Sequence, residues 1–414
     1  MNPTPALFIS FESLQKFFVI LIELIGFGES FGWLATLLAG ISISFLIINV
    51  MVVATAFYTW FERRMIARFQ VRRGPNRNGP FGMLQPFADV LKLIMKEDTI
   101  PDEADKPVFT LAPIALLAPT LMIMIVIPFG TFINKDAFLS NLNIGILFIV
   151  GVTSVNSIAI FMAGWGSRNK YAILGSMRGA AMLISYEIPM ALGITSVLLL
   201  SGSLAMTQIV ESQSIWFILV MPMGFFVFMA ASTAEMSRTP FDQIEAESEL
   251  GSGYNTEYSG IKFAVLFLAE FMAPIVTAAV VTTLFLGGSK GFEFLPGGIW
   301  FALKMFVLIF ILLWVRSTWP RLRIDQIMGF AWKTLFGLGL FNIFLVALEF
   351  MVAVKLEKTS DGSLTRGYML IMAGVNWIVT IIAFIILANF VGKKKYHRPE
   401  PTASPLANMG AGGD

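Results

Sequence analysis

The sequence predicts an all-α fold: a polytopic integral membrane helix bundle with about nine transmembrane helices, an amphipathic surface helix and long cytoplasmic loops. Three observations predict it. Of the 414 residues, 56% are hydrophobic and only 14% charged, and the mean hydropathy is +0.76. The apolar residues fall in uninterrupted runs, and roughly 20 helical residues cross a hydrocarbon core about 30 Å thick. Charged residues collect between those runs, as they must where lipid tolerates few ionised groups.

Taken in chain order, residues 1–32 come first, with an apolar stretch from Phe17 to Phe27 that also carries Lys16 and Glu23. It is shorter than a span and reads as an interfacial helix; as a span it would change the count and the side of the N-terminus. It lacks a small-residue cleavage site after a basic region, so it makes a poor signal peptide. The expected spans then run over 33–61, 108–133, 142–166, 180–201, 215–236, 263–287, 299–316, 332–354 and 368–391. No internal repeat accompanies them, so an inverted-repeat transporter is not suggested. The tail, 393–414, is rich in Pro, Ala and Gly and is expected to be disordered.

The first connection, 62–107, is too elaborate for a passive link. Gly and Pro residues between Gln70 and Asp89 punctuate tight turns. Leu84, Phe87, Ala88, Leu91, Ile94 and Met95 then share one helical face, and Gln85, Asp89, Lys92 and Lys96 the other. That spacing predicts an amphipathic helix lying on the membrane surface, with Pro86 tolerated in its first turn. Gly74 and Gly79 have the interval of a phosphate loop, but Pro80 stands where the lysine belongs and Pro75 removes a backbone donor. Arginines there could simply anchor to anionic headgroups. Together with the helix and the turns they read as a docking floor for a soluble partner.

Ionisable residues within the spans each need a reason. Glu187 and Glu270 are each expected about two turns in from the same end of the fourth and sixth spans, and Glu235 closes the fifth at that face. Pro274 frees the backbone carbonyl of Glu270, and Pro189 that of Ser185, and freed carbonyls in a membrane helix must find other partners. Such carboxyls suit a lateral row of proton sites; hydrogen bonding for packing alone is the competing reading. Lys304 and Glu349 lie nearer the other ends, where snorkelling accounts for them.

Between the fifth and sixth spans the acids Glu235, Asp242, Glu245, Glu247, Glu249 and Glu257 share 23 positions with Arg238. Crowding and lost hydration both raise carboxyl pKa values, the tuning that proton handling near neutral pH requires. A solvated charge run is the ordinary alternative. Against it, Pro240, Phe241, Ile244 and Leu250 interleave the acids, so the segment can fold back on the protein. Glu245 and Glu249 are four apart and share a face if the segment is helical.

Loop charge sets the orientation. One side collects most of the arginines and lysines, including Arg63 through Lys106, Arg238, Arg316 through Lys333, and the tail. The other holds only Lys16, Lys135, Lys290, Lys355, Lys358 and Arg366. The positive-inside rule makes the rich side cytoplasmic, with the N-terminus outside and the C-terminus inside. Cysteine is absent and the single histidine, His397, lies in the tail, so thiolate-held iron–sulfur clusters, histidine-held haem and zinc sites are not expected. A net charge of +2 gives no reason to expect a nucleic-acid partner.

Long motifs now converge. Phe61-Glu-Arg-Arg, Arg73-Gly-Pro-Asn, Gly79-Pro-Phe-Gly and Leu84-Gln-Pro-Phe-Ala-Asp89 are followed by Gly164-Trp-Gly and Ile184-Ser-Tyr-Glu187. Arg238-Thr-Pro-Phe-Asp, Glu247-Ser-Glu249-Leu and Trp319-Pro-Arg-Leu-Arg complete the order. Over about 33–354 the chain resembles the quinone-site membrane subunits of bacterial respiratory complex I, the proton-translocating NADH:quinone oxidoreductase. The resemblance implies a subunit joining the hydrophilic arm to the membrane arm, with its loops helping to build a quinone chamber. It places Glu62, Arg63, Arg72 and Arg316 at the quinone passage and its mouth. It places Asp89, Glu187, Glu235, Asp242, Glu245, Glu247, Glu249, Glu257 and Glu270 along an acidic path toward the proton-pumping subunits. Some relatives carry an acid in the third span, where this chain has Thr153-Ser-Val-Asn156-Ser, so no proton site is expected there.

The resemblance further implies quinone as substrate, with NADH, FMN and iron–sulfur clusters on partner subunits, so the chain alone is not expected to be active. Peripheral-arm subunits, proton-pumping membrane subunits and lipid are the expected partners, and the bacterial cytoplasmic membrane the expected location. The expected organisation is the N-terminal segment 1–32 and a membrane domain 33–354 holding the docking loop 62–107 and the acidic coupling loop 235–262. An extra helix over 355–392 and the tail follow, and both favour a bacterial over a mitochondrial member. The equivalent subunit of an energy-converting hydrogenase or ferredoxin-driven complex is the nearer rival, and a stand-alone ion transporter the farther.

Overall fold

The computed structural model describes residues 32–392, with 16 and 19 before them, apart from 133–134, 138–140, 245–250, 292–294, 357–358 and 361–362. The N-terminal segment, the tail and the acids Glu245, Glu247 and Glu249 therefore lie outside the described residues, 16 and 19 excepted. The described chain is a helix bundle. Among the described residues, eight helices are long and apolar enough to cross a membrane.

Helix α1 (Gly32–Phe69) continues past its expected end and carries Glu62, Arg63, Arg64 and Arg68 on one continuous rod. Turns then lead to α2 (Gln85–Ile94), the expected amphipathic helix, with Pro86 in its first turn. Helices α3 (Lys106–Val126), α4 (Gly145–Gly166) and α5 (Lys170–Ser201) follow. The side chain of Asn169 accepts from the Tyr171 N–H and caps α5, which starts earlier than the expected span. A short hairpin, β1 (Gly130–Phe132) and β2 (Lys135–Ala137), fills the turn between α3 and α4.

The fifth expected span is not one helix. After the short α6 (Met206–Ser212) it divides into α7 (Phe217–Val220) and α8 (Pro222–Glu235), with Met221 between them outside the helical region at φ −133° and ψ 70°. Pro222 is the cause: its ring cannot donate, and it suits a helix's first turn rather than its interior. The carbonyl of Val220, freed by the break, accepts from Asn376 Nδ2 at 2.9 Å.

The rest is α9 (Gly260–Phe285), α10 (Gly297–Thr318), α11 (Ile324–Gly329), a π turn over Phe330–Leu335, α12 (Phe336–Lys355) and α13 (Arg366–Gly392). A second hairpin, β3 (Thr359–Ser360) with β4 (Ser363–Leu364), precedes α13. The most apolar windows of α5 and α9 are 56% and 61% buried, against 11% for α1 and 17% for α13. The first two are therefore the centre of the bundle. Helix α5 packs on α4, α8 and α12, and α9 on α3, α10 and α1. Glycine is required where α5 meets the chain before α9: a Cβ on Gly175 of α5 would stand 2.8 Å from the Cα of Gly253.

At one end of the bundle the loops interlock. Lys262 Nζ lies 2.9 Å from Asp98 Oδ2, the Thr99 N–H donates to Ser259 Oγ at 2.9 Å, and the Asp105 N–H donates to the Gly166 carbonyl at 3.0 Å. The segment after Glu235 folds back as its apolar residues predict, with Phe241, Ile244, Tyr254 and Tyr258 all buried. Two expectations at the other end fail. Lys304 does not snorkel: it is buried, and its Nζ donates to the carbonyls of Leu286, Gly288 and Lys290 at 2.6–2.9 Å, capping the end of α9. Glu349 is buried too, accepting from Asn376 Nδ2 at 2.9 Å, because α13 covers it.

Candidate functional site

The site grows from Arg238. Helix α8 ends at Glu235, and Ser237 adopts a left-handed φ of 53°, which turns the chain back toward the bundle. The buried guanidinium then reaches two helices. Its Nη1 lies 3.6 Å from Glu62 Oε1 of α1, and its Nη2 lies 3.4 Å from Glu270 Oε1 of α9. Nη2 also donates to the Glu270 backbone carbonyl at 3.3 Å, the carbonyl that Pro274 frees. The guanidinium rests on the Phe271 ring, 4.3 Å from its centroid. Arg316 from α10 pairs with the same Glu62 oxygen. The buried Glu62, the half-buried Glu270 and two arginines thus form one chain of charge, which lowers the cost of holding any of them out of water.

Beside this chain lie two cavities of about 60 and 50 Å³ that share Thr120, Asn156, Glu235, Met236 and Ala273 in their walls. Each has room for water, since one molecule occupies roughly 10–15 Å³ by this measure. The larger runs past Thr153, Met190 and Ser232; the smaller runs past Ile244 and Tyr254 to Glu270. Glu235 faces both. Glu270 Oε2 and Asn156 Oδ1 are buried without a hydrogen-bond partner among the described residues. Glu187 lies on the face of α5 that gives Met190 and Ile194 to the larger cavity, near enough to Glu235 for the two to interact electrostatically. Its Oε1 accepts a hydrogen bond from Ser154 Oγ of α4.

The remaining expected residues lie around this centre. Asp89 of α2 pairs with Arg63 at 2.5 Å and accepts from Gln85 Nε2 at 3.1 Å. Asp242 pairs with Arg321 at 2.5 Å, and Gln243 Nε2 donates to the Leu322 carbonyl, tying the fold-back to the segment after α10. Glu257 accepts from Asn169 Nδ2 at 2.6 Å and is joined to the α5 cap rather than to the cavities. Its neighbour Tyr258 stacks on Phe109 at 4.1 Å, and burial raises the Tyr258 hydroxyl above its ordinary pKa. Arg72 is exposed, bonds Gln70, and stands apart from the buried charges.

So the fold brings Glu62, Arg316, Glu270, Glu235 and Glu187 together, and leaves Arg72 and Glu257 outside. Sequence reasoning missed Arg238 as the bridge, Ser154 as the partner of Glu187, and Thr120, Thr153, Asn156 and Ser232 as polar wall. The signal was there in part: Thr153, Ser154, Asn156 and Ser157 make a polar stretch inside an apolar span. Among the described residues no group of three or more His, Cys, Asp or Glu converges to hold a metal.

The chain is similar in sequence to known proteins. The model of the NADH dehydrogenase family matches residues 41–347. The H subunits of NADH-quinone oxidoreductase from two strains of Dehalococcoides mccartyi are 49% identical to this chain over 308 and 345 residues. Those alignments cover 74% and 83% of this chain, and 86% and 93% of the relatives. The counterpart of the same name from Bacillus thuringiensis is 48% identical over 292 residues, 69% of this chain and 86% of its own length.

Proposed function

The chain belongs to the NADH dehydrogenase family, as an H-type membrane subunit of complex I, and from that premise we propose its part in the assembled complex. It helps to enclose the quinone beside Glu62, Arg63 and Arg316, with Arg72 at the mouth. It also carries an acidic path, through Glu270, Glu235 and Glu187, that couples quinone reduction to proton movement. Asp89, Asp242 and Glu257, together with Glu245, Glu247 and Glu249 of the acidic loop, complete the path on the cytoplasmic side. Quinone is the substrate, held between this chain and peripheral-arm subunits, while proton-pumping membrane subunits receive the signal. The N-terminus faces outward and the tail inward.

The observation that carries this reading is the position of Arg238 between Glu62 and Glu270 at nearly equal distances. Charge appearing at a quinone near Glu62 and Arg316 alters how strongly Arg238 is held on that side. At an effective dielectric constant of about 20, unit charges roughly 3.5 Å apart interact by about 4–5 kcal/mol, so a small change in sharing is felt at Glu270. Glu270 faces the smaller cavity, and water there joins it to Glu235 and then to the neighbourhood of Glu187. A proton can thus move in response to charge without any redox centre on this chain.

The test uses the assembled complex in sealed membrane vesicles, with Glu187→Gln and Glu235→Gln. Expected is assembly with impaired quinone-linked NADH oxidation and fewer protons moved per electron. Normal rates and normal stoichiometry in both variants would sink the coupling role. The shared name of the relatives supports the quinone-linked complex over a hydrogenase counterpart.

A further inference from the structure

We infer that Ser154 of α4 is a two-position hydroxyl rotor that tracks the proton on Glu187, a positioning residue for the coupling path; this rests on the proposed function. The Ser154 hydroxyl has one hydrogen and two acceptors within reach: the Glu187 carboxylate and, at 3.0 Å, the carbonyl of Val150. It cannot donate to both at once. Both are reached from a single Oγ position, so only the hydrogen has to turn. The Val150 carbonyl loses little when it does, because Thr153 Oγ1 also donates to it at 2.9 Å.

The two positions correspond to the two states of Glu187. When Glu187 is ionised, the serine hydroxyl donates to the carboxylate, a charge-assisted bond of the stronger kind. When Glu187 is protonated, its own O–H donates to Ser154 Oγ, and the serine hydrogen turns to Val150. No proton is gained or lost by Ser154 in either state. Across the packing, Glu235 of α8 is a titratable neighbour of Glu187. Thr153 and Asn156, one turn apart, line the cavity that Glu235 faces, so this stretch of α4 touches both acids. A span without a carboxylate thereby takes part in the path through hydroxyl and amide groups.

The assembled complex in sealed vesicles, carrying Ser154→Ala, Ser154→Thr or Glu187→Gln, tests this by redox-triggered infrared difference spectra and protons moved per electron. The carboxyl band absent from Glu187→Gln is assigned to Glu187. Expected is a shift of that band in Ser154→Ala with proton-coupled turnover reduced about tenfold, the usual weight of one hydrogen bond to a charged group. Ser154→Thr restores both, because it keeps the hydroxyl. An unmoved band with normal coupling in Ser154→Ala overturns the rotor, as does failure of Ser154→Thr to restore the band. Normal coupling in Glu187→Gln overturns the acidic path instead, while the band shift still reads the hydroxyl. Should Ser154→Ala fail to assemble, Ser154→Cys, a much weaker donor of similar size, is read by the same band.

Discussion

Glu62 and Glu270 stand on different helices, α1 and α9, and share one cation. Arg238 lies 3.6 Å from the first carboxylate and 3.4 Å from the second. It enters between them from a loop, and Arg316 holds Glu62 from a third helix, α10. The proposed quinone side and the proposed proton side of the protein therefore meet at a single guanidinium.

Removing that guanidinium should be costly. Arg238→Gln leaves buried carboxylates short of a cation, a loss of about 3–5 kcal/mol for such pairs. Expected is a lower melting temperature of the purified complex, together with loss of quinone-linked activity. Arg238→Lys keeps the charge but not the fork that spans two acids, and it should recover stability more than rate. Equal recovery of both would count against the bridging geometry.

The cavities can be filled without touching a charge. Ala273 lines both of them, so Ala273→Leu should displace water beside Glu235 and Glu270. Overpacking of this size costs roughly 1–3 kcal/mol, which the assembled complex should survive. Protons per electron should fall while NADH oxidation by a soluble electron acceptor stays normal. An unchanged proton ratio would remove these cavities from the path.

Arg63 and Asp89 should behave in the opposite way to Arg238. Their side chains are 41% and 29% exposed, and partly exposed pairs contribute about 0–1 kcal/mol. Arg63→Gln and Asp89→Asn are expected to leave the melting temperature within a degree or two of the parent, by roughly that energy. A reduced quinone reductase rate at unchanged stability would support the place of Arg63 at the passage and of Asp89 on the acidic path. Wild-type rates in both would exclude each from that role.

Asn376 supplies a check on the interrupted helix. Asn376→Leu strips the Val220 carbonyl and Glu349 of their shared donor, and an unsatisfied buried acceptor costs about 1–3 kcal/mol. Amide exchange at the start of α8 should quicken, read by mass spectrometry of the detergent-solubilised complex. Unaltered exchange there would mean that α13 does not hold the break.

Much of the site was legible because a carboxylate in an apolar run stands out: Glu187 and Glu270 are visible from composition alone, and Glu235 from its place at the end of one. The first loop was legible from the period of Leu84, Phe87, Leu91 and Ile94. Other features were not. Arg238 looked like one more basic loop residue, since Glu62 and Glu270, which it bridges, lie far from it in sequence. Glu349 and Lys304 looked able to reach water, and only the packing of α13 on α8 and the end of α9 on Lys304 shows otherwise. The break at Met221 had its signal in Pro222, but an uninterrupted hydropathy run concealed it.

The sequence by itself determined that the chain is a helical membrane protein, where eight of its helices run, and which family it belongs to. Those follow from local physics: apolar runs of sufficient length must be helical in lipid, whatever packs beside them. Only the tertiary structure decided which charges share a partner, which polar groups wall a cavity, and that Ser154 reaches Glu187. Such pairings depend on the lateral order and spacing of helices far apart in sequence. Hydrogen bonds and contact ion pairs need their atoms within about 4 Å, so no reading along one dimension supplies them.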